Sequence, residues 1–431
     1  MTTLTFFLIF AVLLGLGVPV IGAFGGLSIL PHLLDASFPY TLDAAVRSMV
    51  GALDSFPLLA VPLFMFSGVI MALGGVSEKL FNFFAYFIGN KTAGFPCAVI
   101  VTCLFYGAIS GSGPATTAAV GSMAIPFLTA MGYDTLFATA LVAVAGGLGI
   151  IIPPSIPFIV FSSSAGVSTS TLFIAGIIPG VLIGFCLMAY AYYYCHKHGE
   201  DKEKLRANYE IIHGKGFWPL FKESVWALLT PVIILGSIYG GIASPTEAAV
   251  ISVFYALLIS LFVYKTLKPN EVWTLLKETV KTYAPILFVI SSSVAFSRVL
   301  TMLRIPQEVS EGMLSVLTNK VVILLVINFI LLVAGMIMDA LPCIMILTPI
   351  LLPVTQAFNI NPVHFGVIMI VNLAIGFVTP PMGMNLYVAS AATKIPVTSI
   401  ARKALPFIAA FLVALGLITF IPQISLFLTQ I

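Results

Sequence analysis

The strongest constraint on this chain is a break in its greasiest part. Ile109-Ser110-Gly111-Ser112-Gly113-Pro114-Ala115-Thr116-Thr117 interrupts a long apolar stretch with small polar residues and no charge. Hydrocarbon offers no water to a free N–H or C=O, so irregular chain at that depth needs cover from protein or a wet cavity to line. A second interruption follows at Gly149-Ile150-Ile151-Ile152-Pro153-Pro154-Ser155-Ile156-Pro157. Proline has no N–H, so Pro153 leaves the Gly149 carbonyl, and Pro154 that of Ile150, without a helical donor.

That argument needs a bilayer, and composition supplies one. Of 431 residues 60% are hydrophobic and 8% charged, which excludes a soluble globular domain. At about 20 residues per crossing the apolar runs make about a dozen spans or part-spans, an all-α polytopic membrane protein in contact with lipid. A net charge of +3 from scattered residues argues for no nucleic-acid partner. Cys97, Cys103, Cys186, Cys195 and Cys343 form no CxxC pair and read as small buried hydrophobes. The N-terminus lacks the positive flank of a cleaved signal, so residues 4–30 read as one retained span.

Residues 35–56, with Asp35, Asp43, Arg47 and Asp54, read as an interfacial amphipathic helix, and spans over about 57–73 and 76–90 complete a scaffold region over 1–92. Residues 93–195 hold a re-entrant hairpin of two short arms about Ser110, a broken span over 136–165 and a full span. The Lys-rich stretch 196–224, Lys215 included, reads as a cytoplasmic linker. Second-half scaffold spans over 225–320 lead to a second core over 321–431, with a hairpin about Asp339-Ala340-Leu341-Pro342 and a broken span about Thr379-Pro380-Pro381.

The two cores are copies. An offset of 227 lays Pro126 on Pro353, Pro153 on Pro380, Pro154 on Pro381 and Pro179 on Pro406, with Gly149 on Gly376, Ser163 on Ser390 and Ser112 on Asp339. Pro380 thus frees the Gly376 carbonyl as Pro153 frees that of Gly149. Each hairpin tip faces a broken helix, the arrangement from which secondary transporters build midplane ion sites. Two hard-cation sites built of oxygens follow, with Asp339 adding a formal charge to one. An odd number of crossings per half would make the repeat inverted.

Gly111-Ser112-Gly113-Pro114-Ala115-Thr116-Thr117, Ile152-Pro153-Pro154-Ser155, Asp339-Ala340-Leu341-Pro342 and Thr379-Pro380-Pro381-Met382-Gly383 together resemble the large (DctM-type) permease subunit of the tripartite ATP-independent periplasmic (TRAP) transporters. The resemblance covers essentially the whole chain. It implies an elevator-type ion-transporter-superfamily fold in the bacterial inner membrane, coupled to sodium. It also implies two partners, a small membrane subunit of four helices and a periplasmic substrate-binding protein. The cargo would be an organic acid of the sialic acid or C4-dicarboxylate type. Carried over by position, the first sodium site uses Ser110, Ser112, Gly149, Ile152 and Pro154, and the second Asp339, Gly376, Thr379 and Pro381. The acid would lie between the hairpin tips, met by Thr116, Ser163, Asn385 and Ser390, with Arg298 as carboxylate anchor.

Blander readings exist for each piece. Small residues also let helices pack closely in lipid, Arg298 near an interface can snorkel, and Glu247 reads as a first-turn cap. A self-sufficient sodium/anion symporter or antiporter of the same superfamily is the nearest alternative function. An intramembrane hydrolase would need a nucleophile beside its base or paired carboxylates, yet no histidine falls in a break and Asp339 meets Ser112 across the repeat.

Overall fold

The computed structural model describes residues 3–214, 216–316 and 319–430. Lys215 of the linker and Met1 and Thr2 of the N-terminal run lie outside them. The first half holds α1 (Thr3–Gly15), α2 (Val20–Leu34), α3 (Leu42–Leu53), α4 (Ala60–Leu73), α5 (Val76–Ile88), α6 (Gly94–Ser110), α7 (Gly113–Ala130), α8 (Thr135–Gly146), α9 (Ile156–Ala165) and α10 (Thr169–His198). After α11 (Lys202–Gly214) come α12 (Phe217–Tyr239), α13 (Pro245–Leu258), α14 (Pro269–Met302), α15 (Ile305–Val316), α16 (Lys320–Ile337), α17 (Ala340–Ala357), α18 (Pro362–Gly376), α19 (Met384–Thr393) and α20 (Val397–Phe420). Among the described residues, eight helices are long and apolar enough to cross a bilayer.

The single span expected over 4–30 is two helices. Gly17 turns to φ +81°, Val18 N–H bonds back to the Leu13 carbonyl at 3.0 Å, and Pro19 cannot continue a helix, which together make a glycine C-cap. The amphipathic segment is α3, capped by Thr41 and carrying an exposed Arg47–Asp43 pair at 2.9 Å. Helix α12 begins at Phe217, inside the stretch expected as linker. Glu247 completes a capping box with Ser244 at the start of α13.

The repeat governs the helices as well as the motifs. Moved by 227, α6 to α10 fall on α16 to α20, and α7 and α17 coincide end to end at 18 residues. One difference stands out: α3 and α4 together correspond to the unbroken 34-residue α14. Both Pro153–Pro154 and Pro380–Pro381 are cis.

Direction can be read from contacts at the helix ends. Asp134, capping α8, pairs with Lys403 at the start of α20 at 2.9 Å. His364 at the start of α18 approaches the Thr419 carbonyl, at the far end of α20, at 3.3 Å. The first broken helix therefore starts at the linker end of the molecule and the second starts at the opposite end, so the halves are inverted. Glu200, just beyond α10, holds both feet of the first hairpin: it accepts from Ala93 N–H at 3.0 Å and from Tyr133 Oη at 2.5 Å.

Over Phe137–Gly146 and His364–Gly376, helices α8 and α18 are apolar apart from Thr139, His364 and Asn372, as helices enclosed by others should largely be; every residue of both stretches is buried. They form the centre of the core. Around it α2 packs on α14 through Phe24 and Phe296, whose rings are 4.9 Å apart, and α4 meets α13 through Ser67 and Ser252.

Candidate functional site

Helices α6 and α7 turn at Gly111 and Ser112. Gly111 has φ +61°, a conformation L side chains rarely adopt, and a Cβ there would stand 2.8 Å from the Pro154 carbonyl oxygen. Ile156 N–H donates to the Gly111 carbonyl at 3.3 Å. Tip and break are thus pinned to one another, and an oxygen cluster sits between them. Thr116 Oγ1 donates to the Ser112 carbonyl at 2.9 Å and lies 2.8 Å from Ser110 Oγ. A Cβ on Gly149 would collide with Thr116 Oγ1 and stand 2.7 Å from the Ser112 carbonyl oxygen, so only glycine lets the break approach. Ile151 and Ile152 N–H both go to the Leu148 carbonyl at 3.0 Å. With no N–H on Pro153, the Gly149 carbonyl has lost its helical donor. Neutral oxygens gathered in this way suit a hard cation.

The second half repeats the plan with changes. A Cβ on Gly376 would stand 2.5 Å from the Gly335 carbonyl oxygen, and Met382 N–H donates to the Met336 carbonyl at 3.0 Å, so tip and break again touch. Asp339 caps α17, its Oδ1 accepting from Ala340 N–H at 2.7 Å. Thr379 Oγ1 donates to the Ile375 carbonyl at 2.8 Å. The Gly376 carbonyl, expected to be free, takes Thr379 N–H at 3.1 Å. Here the chain tightens into a three-residue turn as it leaves α18, with Val378 N–H on Ile375, and the turn supplies the donor that Pro380 lacks. Burial differs too: Ile151 to Ser155 are all buried, while Met382 is 45% exposed.

Both tips and both breaks meet around a cavity of about 160 Å³. Ser112 and Asp339, partners across the repeat, line it together with Ile150, Phe377, and Thr282 and Ile286 of α14. None of the five side chains expected at the acid lines this cavity. Thr116 belongs to the oxygen cluster. Asn385 is fully buried and ties the halves, its Nδ2 donating to the Ala143 carbonyl at 3.0 Å while its Oδ1, beside Gly113, finds no partner among the described residues. Ser390 Oγ donates to the Ile395 carbonyl at 2.6 Å and closes the end of α19. Ser163 and Arg298 face a different cavity. Conversely, Thr282 was not legible as a site residue, because it sits in an uninterrupted helix and reaches the tips only through packing.

The chain matches the family described as tripartite ATP-independent periplasmic transporter, DctM component, over residues 7–424. It belongs to that family. This DctM-family chain is therefore a transporter component rather than an enzyme, and a multi-pass protein of the inner membrane. It is 42% identical over 418 residues to the isethionate TRAP transporter permease protein DctMQ of Oleidesulfovibrio alaskensis, a match covering 97% of this chain and 65% of that relative's length. It is 39% identical to the C4-dicarboxylate TRAP transporter large permease protein DctM of Pseudomonas aeruginosa, over 86% of each chain. The sialic acid TRAP transporter large permease protein SiaM of Vibrio cholerae is 36% identical, over 90% of each. In fold the chain resembles the YdaH transporter of Alcanivorax borkumensis, with TM-score 0.64 at 15% identity over 97% of both chains.

Proposed function

We propose that this DctM-family chain is the large permease of a system that brings a small organic acid into the cell together with sodium ions. The observation that carries the reading is the meeting of both tips and both breaks around one cavity. Sodium, as co-transported cargo, would be held by Ser110, Ser112, Gly149, Ile152 and Pro154 in the first half. In the second half Asp339, Gly376, Thr379 and Pro381 would hold it, with Asp339 adding the charge the first cluster lacks. The acid would sit in the tip cavity, where α7 and α17 begin at Gly113 and Ala340. The N-terminus of α7 presents partial positive charge to an anion, whereas the first N–H of α17 is already taken by Asp339. The relatives' names point to isethionate, C4-dicarboxylates and sialic acid, all acids of this kind.

In this reading both hairpins are re-entrant, and the two cores move as a body against the scaffold of α2, α4 and α12 to α14. A small four-helix subunit and a periplasmic binding protein complete the system. Uptake of labelled isethionate, succinate and N-acetylneuraminate into proteoliposomes holding the chain and its small subunit tests it. Uptake that needs both a sodium gradient and a binding protein supports the reading. Sodium-driven uptake by the chain alone replaces the tripartite part with a self-sufficient symporter, and no sodium-dependent uptake of any acid overturns it.

A further inference from the structure

The second cavity, of about 310 Å³, is twice the size of the one between the tips and lies at the end of the molecule away from the linker. Its position follows from the chain path: α9 climbs from the break to Ala165, and α10 then runs back to the linker end at His198. Five polar side chains face it: Ser55 from the α3–α4 connection, Ser163 and Ser164 from the end of α9, and Ser297 and Arg298 from α14. Among the described residues none of these hydroxyls, nor the guanidinium, has a hydrogen-bond or ion-pair partner, and no carboxylate lines the space. Elsewhere in this chain the same residue type bonds to the backbone of its own helix, as Ser162, Ser292 and Ser293 do. An exposed, unpaired guanidinium beside unpartnered hydroxyls has the chemistry of oxyanion recognition, and a guanidinium matches a carboxylate or sulfonate with two parallel N–H groups.

We propose that this cavity is a separate anion-capture site, which receives the carboxylate or sulfonate of the acid at the end opposite the linker before the acid reaches the tips. The site rests on the transport reading for its purpose but not for its chemistry. It joins elements that would move to elements that would not, because Ser163 and Ser164 ride on the first core while Arg298 belongs to the scaffold helix α14.

The test needs no known substrate. In the full chain reconstituted in nanodiscs, Ser297→Cys places a thiol beside Arg298. Its reaction is followed with two membrane-impermeant methanethiosulfonates of similar size, the anionic 2-sulfonatoethyl and the cationic 2-(trimethylammonium)ethyl reagents, against the background of the parent chain. With each rate divided by that reagent's rate toward a small free thiol, since the cationic reagent is intrinsically faster toward any thiolate, the anionic reagent is expected to be favoured roughly tenfold, as a focused positive field requires. Arg298→Gln in the same background should erase that preference, and succinate or isethionate should slow the anionic reaction. Ser164→Cys gives the same readout from the other wall should the first variant fold poorly. Equal normalised rates, or a preference that survives Arg298→Gln, would show only a snorkelling cation and overturn the site. Failed uptake with the charge preference intact would count against the transport reading alone.

Discussion

At the scale of single residues, the cation reading depends on how closely backbone approaches backbone. Gly149 can be tested most sharply because the space a methyl group would need is already filled by Thr116 Oγ1 and the Ser112 carbonyl. Gly149→Ala should raise the sodium concentration for half-maximal uptake by about tenfold or abolish uptake, equivalent to about 1.4 kcal/mol or more lost at the ion. Gly25→Ala, where a Cβ meets nothing within 4 Å, should change neither uptake nor sodium dependence. Asp339→Asn keeps the shape of the α17 cap but removes the charge. Sodium titrations of uptake should then show weaker affinity and a lower Hill coefficient, as expected if one of two sites is lost. An unchanged titration would remove Asp339 from the ion site.

Elements record which parts of this architecture local chemistry dictates. The hairpins and broken helices were legible because each rests on prolines and glycines whose effect on the backbone is local: Pro153 and Pro380 cannot donate, and at Gly111 a positive φ coincides with an approach of the Pro154 carbonyl that leaves no room for a Cβ. The split of the first span at Gly17 and Pro19 was missed because hydropathy runs unbroken across it. The positions of Ser163 and Arg298 were missed for another reason, since a cavity shared by α9 and α14 is decided by packing between elements distant in sequence. One tie between such elements is the Asp134–Lys403 pair, with side chains 47% and 27% exposed. Burial alone would raise the Asp134 carboxyl, but Lys403 and the Leu136 N–H outweigh it and hold it below the ordinary 3.8. The folded chain thus binds that proton less readily than the unfolded one. The pair's contribution, about 0.5 kcal/mol after solvent screening, is complete above the usual carboxylate range and fades as pH falls through the lowered value. Asp134→Asn should therefore lower the melting temperature of the detergent-solubilised chain slightly at pH 7, and the difference should shrink and close as acidification protonates Asp134 below the ordinary carboxylate range.

At the scale of the whole molecule, an inverted repeat gives two similar halves, yet the structure treats them unequally. Met382 in the second break is 45% exposed, whereas Ser155, its counterpart at an offset of 227, is fully buried. If the cores move as a body, this asymmetry belongs to one of two positions and should reverse or lessen in the other. A fluorescent maleimide should label Met382→Cys at least about tenfold faster than Ser155→Cys in the resting chain, a difference of about 1.4 kcal/mol in accessibility. Sodium with a transported acid should narrow that ratio, and a ratio that never moves would argue for a static pore. The grip of Glu200 on both feet of the first hairpin also bears on how the molecule is made. Glu200 lies 107 residues after Ala93 and 67 after Tyr133, so a ribosome has finished the hairpin, the first broken helix and α10 before either foot can be fastened. Until that carboxylate is synthesised, the newborn hairpin lacks the acceptor that Ala93 N–H and Tyr133 Oη share in the finished fold.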